Sequence, residues 1–247
     1  MSADVQDAQR IIAYDCSYPG RDGLTIEAHL ARPDRPGRHP AVVVMHARRG
    51  LLPSFRDVAD DLAREGFVGF AVAWQTRVPP NDDNIMPTDQ SVMDDLADGL
   101  AYLRAQPFVN SERLGIMGYC AGGTMVYLAL STLGAFTSGV PHYGSTHGSA
   151  ESRAISPDGR LPTAYQLADR VHASLLIIGG DQDRAVPVEG VMQYCEKLRA
   201  NGQECSVEIY PGAGHAFTIK GGRSYLEDAA EDAWRKTVAH FKRTLAA

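Results

Sequence analysis

The chain has 247 residues, 44% of them hydrophobic and 22% charged, which supplies a folded core and is too apolar for a disordered chain. Its 24 Lys and Arg against 30 Asp and Glu give a net charge of −6, without the basic stripe that neutralises phosphates, so nucleic acids are excluded as partners. Residues 1–10 are polar and acidic, and no later apolar run reaches the roughly 18 residues that a membrane span needs, so a cytoplasmic protein with no membrane contact is expected.

Residues 11–16 and 24–31 read as two strands around the turn-rich stretch 18–23, an antiparallel hairpin. A strand at 41–46 is followed by a helix at 54–65, where Ser54 and Asp57 fit a capping box and Phe55, Val58 and Leu62 share one face. Next come a strand at 67–73 and a helix at 88–105 with Val92, Leu96, Leu100 and Leu103 on one stripe. The strand at 113–118 runs through a glycine-rich bend into a helical stretch that includes 125–130, and another strand covers 136–143. Residues 144–172 lack a clear period apart from one short helix expected within 162–169, and read equally as a lid-like insertion or a surface excursion. The strand at 174–180 precedes a helix at 187–199, with Pro187 in its first turn and Asn201-Gly202 as its stop. After the strand at 205–210, the helix at 225–245 sets Leu226, Ala230, Ala233, Trp234, Val238, Phe241 and Leu245 on one stripe. The alternation implies an α/β protein in one domain over 1–247: a mostly parallel sheet of about eight strands, an N-terminal antiparallel hairpin and helices on both faces.

Cys16, Cys120, Cys195 and Cys205 are few and scattered in a chain able to build a core without them, so reduced thiols are expected. No pair has the spacing of a zinc ribbon or a redox centre, and no ligand spacing connects His46, His142 and His147, so no metal site is expected.

The segment Gly118-Tyr-Cys-Ala-Gly-Gly123 lies between a strand and a helix, which is the pattern of a nucleophile elbow carrying sulfur in place of the usual hydroxyl. Glycine at 118 and 122 permits the pinched backbone, and the helix N-terminus favours a thiolate and a developing oxyanion. The α/β-hydrolase chain order of nucleophile, acid and histidine is completed downstream. Asp183, on the loop after the strand at 174–180, is the preferred acid, with Asp181 as competitor and turn-capping as its other reading. His215, in the glycine-rich loop after the last strand, is the base that would take the thiol proton. The N–H groups of Ala121 and, from the loop after the third strand, Arg48 are the expected oxyanion hole. Trp74, Tyr143, Phe217 and Met117 are read either as walls of an apolar pocket or as core.

Together G-Y-C-A-G-G at Cys120, D-R-A-V-P at Asp183 and G-H-A-F at His215 resemble the dienelactone hydrolase family, also called carboxymethylenebutenolidases, from about residue 24 to the final helix. The resemblance implies an α/β-hydrolase fold, hydrolysis of an ester or lactone through a Cys-His-Asp triad and an acyl-enzyme, no metal or organic cofactor, and a small-molecule substrate. A monomer or homodimer is expected. In that family a glutamate after the third strand holds the resting thiol, and Ala47 stands at its position, so a sulfur paired more directly with His215 is expected. Of two arginines that grip a substrate carboxylate in the family, Arg77 matches the first, as a substrate-binding residue, while Ile219 stands at the second. Arg48, Arg49 or Lys220 are substitutes, or solvated surface charges. Two alternatives accompany hydrolysis: the same scaffold forming or isomerising a lactone in a biosynthetic pathway, and a non-catalytic ligand-binding member of the fold. Label uptake from isotopic water separates the first, and a covalent adduct on Cys120 the second.

Overall fold

The computed structural model describes residues 10–79, 85–147 and 160–246. Its centre is an eight-stranded sheet formed by β1 (Ile11–Pro19), β2 (Thr25–Pro33), β3 (His39–Met45), β4 (Val68–Val72), β5 (Val109–Tyr119), β6 (Ser138–His142), β7 (Ser174–Gly180) and β8 (Cys205–Tyr210). The order across the sheet is β1-β2-β4-β3-β5-β6-β7-β8. β1 and β2 form the antiparallel hairpin, β2 is also antiparallel to β4, and every pairing from β4 to β8 is parallel. All eight strands expected from the sequence are present.

Strand alternation sends successive residues of β3 into opposite layers: Ala41, Val43 and Met45 join one buried cluster, Val42 and Val44 the other. The first layer holds the apolar faces of α2 (Asp89–Arg104), α3 (Ala121–Thr132) and α4 (Val188–Ala200). The second holds those of α1 (Pro53–Arg64) and α5 (Glu227–Thr244). Strands buried on both faces explain the near-continuous Val and Ile runs of β3 and β7. α3 is buried over most of its circumference, which is why its sequence shows little amphipathic period.

Two expectations change. The capping box at Ser54 is absent: α1 starts one residue earlier, on Pro53, after an N-cap at Leu52 whose side chain makes no capping bond. Proline at the first helical position already has a helical φ and lacks the N–H that a cap would satisfy. The reduced state expected of all four cysteines holds for Cys16 and Cys120, but Cys195 of α4 and Cys205 of β8 form a disulfide with Cα atoms 5.6 Å apart. Only the packing of α4 beside β8 brings these two positions together.

Within 144–172, residues 148–159 lie outside the described residues. The short helix expected in 162–169 is a turn leading into one 3-10 turn at Ala168–Arg170. Among the described residues, no helix is long and apolar enough to cross a membrane.

Candidate active site

β5 delivers Cys120 to the carboxyl edge of the sheet, where the chain reverses directly into α3. The backbone at Cys120 takes φ 54° and ψ −117°, a conformation few side chains tolerate. Its neighbours explain how the bend is held. A Cβ on Gly122 would overlap the carbonyl oxygens of Met45 and His46, and one on Gly118 would lie 2.6 Å from the carbonyl oxygen of Gly122. The elbow is further pinned by the Cys120 N–H donating to the His142 carbonyl at 3.1 Å.

Asp183 sits on the loop between β7 and α4 with its side chain almost fully buried. Its Oδ1 accepts the N–H groups of Ala185 (2.8 Å) and Val186 (3.0 Å), leaving Oδ2 aimed at His215 Nδ1 at 2.8 Å. Asp181, the competing acid, instead accepts the Gly212 N–H at 2.7 Å and ties down the histidine loop. The Gln182 N–H donates to the Ala213 carbonyl at 2.9 Å, so the loops carrying Asp183 and His215 are joined through the backbone. On the other side of the imidazole, Nε2 lies 3.0 Å from Cys120 Sγ. Three residues spread over 95 positions of sequence thus form one hydrogen-bonded line.

The electrostatics favour a thiolate and an imidazolium. For Cys120, burial is the largest influence and opposes ionisation, but the hydrogen bond and charge of His215, the Ala121 N–H and the charge of Arg48 together hold the thiol below its ordinary value. For His215, burial again opposes charge, and hydrogen bonds to Asp183 and Cys120 overcome it, pushing the imidazole up to about 10.

Cys120 and His215 open onto a cavity of about 480 Å³. Arg48 and Ala121, the expected oxyanion-hole residues, and Tyr143 also line it. Tyr143 presents its ring edge-on to His215 with centroids 5.2 Å apart, and its hydroxyl is hydrogen bonded to Thr218 Oγ1 at 2.8 Å.

Four candidate substrate contacts lie outside the lining. Arg77 is outside the lining: its guanidinium makes bonds of 2.7 and 2.6 Å to Asp95 and of 2.6 and 3.2 Å to Asp22. Trp74 is buried, stacks on His46 with ring centroids 5.1 Å apart, and donates its indole N–H to the His46 carbonyl at 2.9 Å. It therefore braces the loop that carries Arg48 rather than touching the cavity. Phe217 is fully buried against Tyr143 and Tyr210, behind the cavity wall, and Met117 is core. Ala47 and Ile219 are half-buried hydrophobic neighbours of the second core layer, Ala47 accepting a hydrogen bond from His46 Nδ1 at 2.6 Å. Among the described residues, no group of three or more His, Cys, Asp or Glu side chains could hold a metal ion.

The apolar wall was missed: Met86 and Pro87 before α2, Met125 and Leu128 on α3, Leu161 and Pro162 from the aperiodic segment, and Val186 beside Asp183. A lone Met or Leu carries no sequence signal for a ligand wall, because core positions have the same composition. The one available signal was the missing period after 144.

The family model for the dienelactone hydrolase family matches residues 26–245. A Methylorubrum extorquens protein named as a carboxymethylenebutenolidase is 30% identical over 96% of this chain and 83% of its own length. A Bradyrhizobium protein named as a 2-oxo-3-(5-oxofuran-2-ylidene)propanoate lactonase is 30% identical over 95% of this chain and 96% of its own. Among solved structures, one described as a dienelactone hydrolase from Klebsiella pneumoniae superposes with a TM-score of 0.84 at 26% identity, covering 95% of this chain and 99% of that one. With an elbow, a cavity and a sheet of this topology, and a family match over nearly its whole length, the chain belongs to the dienelactone hydrolase family, and it is an ester or lactone hydrolase.

Proposed function

We propose that the protein hydrolyses a small ester or lactone through Cys120, His215 and Asp183, by way of a thioester acyl-enzyme. The observation that carries this reading is the line Asp183 Oδ2, His215 Nδ1, His215 Nε2, Cys120 Sγ, with separations of 2.8 and 3.0 Å at the edge of a cavity. These distances are those of a nucleophile and base already in hydrogen-bond reach, with the base oriented by a carboxylate.

The thiolate attacks the substrate carbonyl carbon, and the carbonyl electrons move onto oxygen. Backbone N–H groups of Ala121, at the start of α3, and of Arg48 receive that oxyanion, helped by the helix dipole. As the oxyanion collapses, the C–O bond to the leaving group breaks and the imidazolium gives its Nε2 proton to the departing oxygen. His215, now neutral, takes a proton from water as the water attacks the thioester, and the C–S bond breaks to return the thiolate and imidazolium. Asp183 keeps Nδ1 protonated throughout and stabilises the charged ring. Because Ala47 provides no carboxylate to compete for the sulfur, the pair is formed before substrate arrives. Residues 160–164 and 166, from the aperiodic segment, form part of the wall around the bound substrate, a reading supported by their presence in the cavity lining.

The test is brief exposure to an activated ester followed by intact-protein mass spectrometry. An acyl adduct on Cys120, absent in Cys120→Ala and accumulating in His215→Ala, is expected. Turnover retained in Cys120→Ala would sink the mechanism. Product formed from a lactone panel without uptake of oxygen from labelled water would instead favour lactone formation or isomerisation.

A further inference from the structure

The loop after β3 carries Arg48 to the cavity, and its orientation traces to His46, a residue outside the lining. The His46 imidazole is fully buried, stacks on Trp74 with ring centroids 5.1 Å apart, and lies 6.1 Å from the ring of Phe55. Its backbone carbonyl accepts the Trp74 indole N–H at 2.9 Å, so ring and backbone are both fixed to one buried partner. Nδ1 lies 2.6 Å from the Ala47 carbonyl oxygen, and a carbonyl only accepts, so the ring carries its proton on Nδ1. Burial pushes the imidazole down to about 4, which keeps it a neutral ring with that single N–H. Nε2 is also buried and has no hydrogen-bond partner among the described residues, so the polar contact this ring makes there is the one to Ala47. In the trans peptide that follows, the Ala47 C=O and the Arg48 N–H point in opposite directions. A carbonyl drawn to the buried ring therefore turns the Arg48 N–H away from it. At the far end of the loop the Gly50 N–H donates to Gln75 Oε1 at 3.2 Å, which restrains the same stretch from the other side.

Resting on the hydrolase reading above, we infer that His46 is a positioning residue: its Nδ1–H, by capturing the Ala47 carbonyl, aims the Arg48 N–H at the oxyanion formed over Cys120. The ring touches no substrate atom and takes no proton. It preorganises one donor of the oxyanion hole, so that no peptide rotation is needed as charge develops. Such a bond helps only steps that pass through a tetrahedral oxyanion. Ester cleavage passes through two, one in acylation and one in hydrolysis of the thioester. Alkylation of the sulfur by iodoacetamide is displacement at a saturated carbon and passes through none.

The experiment measures p-nitrophenyl butyrate hydrolysis, iodoacetamide alkylation of Cys120 and urea unfolding in three variants. His46→Phe keeps an aromatic ring against Trp74 and loses the N–H. His46→Asn puts an amide nitrogen one bond from Cγ, as Nδ1 is, and loses the stack, while His46→Leu has the same branching with no donor. In His46→Phe kcat should fall about 100-fold, with KM near the wild-type value because both oxyanion steps slow together. Its alkylation rate and the pH midpoint of alkylation should not move. His46→Asn should unfold at lower urea than His46→Phe and yet turn over about 10-fold faster than His46→Leu. A displaced elbow, the merely structural outcome, would slow alkylation and hydrolysis together and overturn the inference, as would wild-type kcat in His46→Phe. Should His46→Phe not fold, His46→Asn against His46→Leu decides, and equal turnover in those two overturns it. The two readings fail separately: turnover surviving in Cys120→Ala refutes the mechanism and the inference with it, whereas turnover lost in Cys120→Ala and kept in His46→Phe refutes the inference alone.

Discussion

The guanidinium of Arg77 and the carboxylate of Asp95 form a two-pronged pair, Nε to Oδ2 at 2.7 Å and Nη2 to Oδ1 at 2.6 Å, with the Asp95 side chain only 3% exposed. Asp95 lies on α2 and Arg77 on the loop after β4, and Asp22 of the hairpin turn joins the pair at 2.6 Å. Three chain segments are thus tied together away from the cavity. Asp95 pushes the guanidinium pKa further up, with Asp22 adding to the effect.

Arg77→Ala should therefore act on stability and not on substrate recognition. It strands a buried carboxylate, for which a loss of about 3 kcal/mol is expected. Urea titration should show the midpoint fall, while KM for a neutral ester stays at the wild-type value. A raised KM with an unchanged midpoint would return Arg77 to the substrate site.

The thiol should titrate early. With His215 and Arg48 holding Cys120 below its ordinary value, iodoacetamide should alkylate the protein with a midpoint below the roughly 8.5 of a free cysteine. His215→Ala removes the hydrogen bond and the charge, leaving burial to dominate, and should move the midpoint above that value. A wild-type midpoint near that of free cysteine would argue against a preformed ion pair.

Acid should weaken the fold for a different reason. His46 and His142 are buried, and burial pushes their imidazoles down to about 4 and about 3. In the unfolded chain both take up a proton near pH 6.5. Their neutral burial is without penalty above that pH, and the unfolded state gains protons they refuse as the pH falls below it. His215 has the opposite sign: raised to about 10, it contributes fully below about 6.5 and loses that contribution as the pH climbs. Unfolding free energy should drop by about 2–4 kcal/mol between about pH 7.5 and about pH 5. A flat profile across that interval would mean the buried histidines are protonated in the fold.

The bond between Cys195 and Cys205 closes a short loop of sequence separation 10, joining the middle of α4 to the start of β8. Replacing both by serine should lower the unfolding free energy by about 2–3 kcal/mol through a less constrained unfolded chain. Neither residue lines the cavity, so ester hydrolysis measured well below the melting temperature should be unaffected. Loss of activity in a folded double variant would show that the α4–β8 bridge positions Asp183.

The backbone plan and the positions of Cys120, Asp183 and His215 past strand ends were readable along the chain because each rests on a local requirement. Glycine is needed where the elbow passes Met45 and His46, an aspartate can cap its own loop N–H groups, and the strand runs of β3 and β7 are apolar because both faces are covered. Matching by position failed where side-chain partners decided the role. Arg77 stands in a familiar frame, yet Asp22 and Asp95, 55 and 18 positions away, claim its guanidinium. Trp74 and Phe217 look like pocket aromatics from their place near strand ends, and each faces a buried neighbour instead.

The amino-acid order alone determined where a thiol, a carboxylate and an imidazole stand, just past the ends of β5, β7 and β8, since that placement is a property of pattern and spacing. Tertiary structure decided what surrounds them: which arginine meets a carboxylate, which cysteines meet each other, and which apolar side chains face a void instead of the core. Those outcomes depend on distances between segments far apart in the chain, and pair contacts fall away within a few ångströms, so no local pattern could record them.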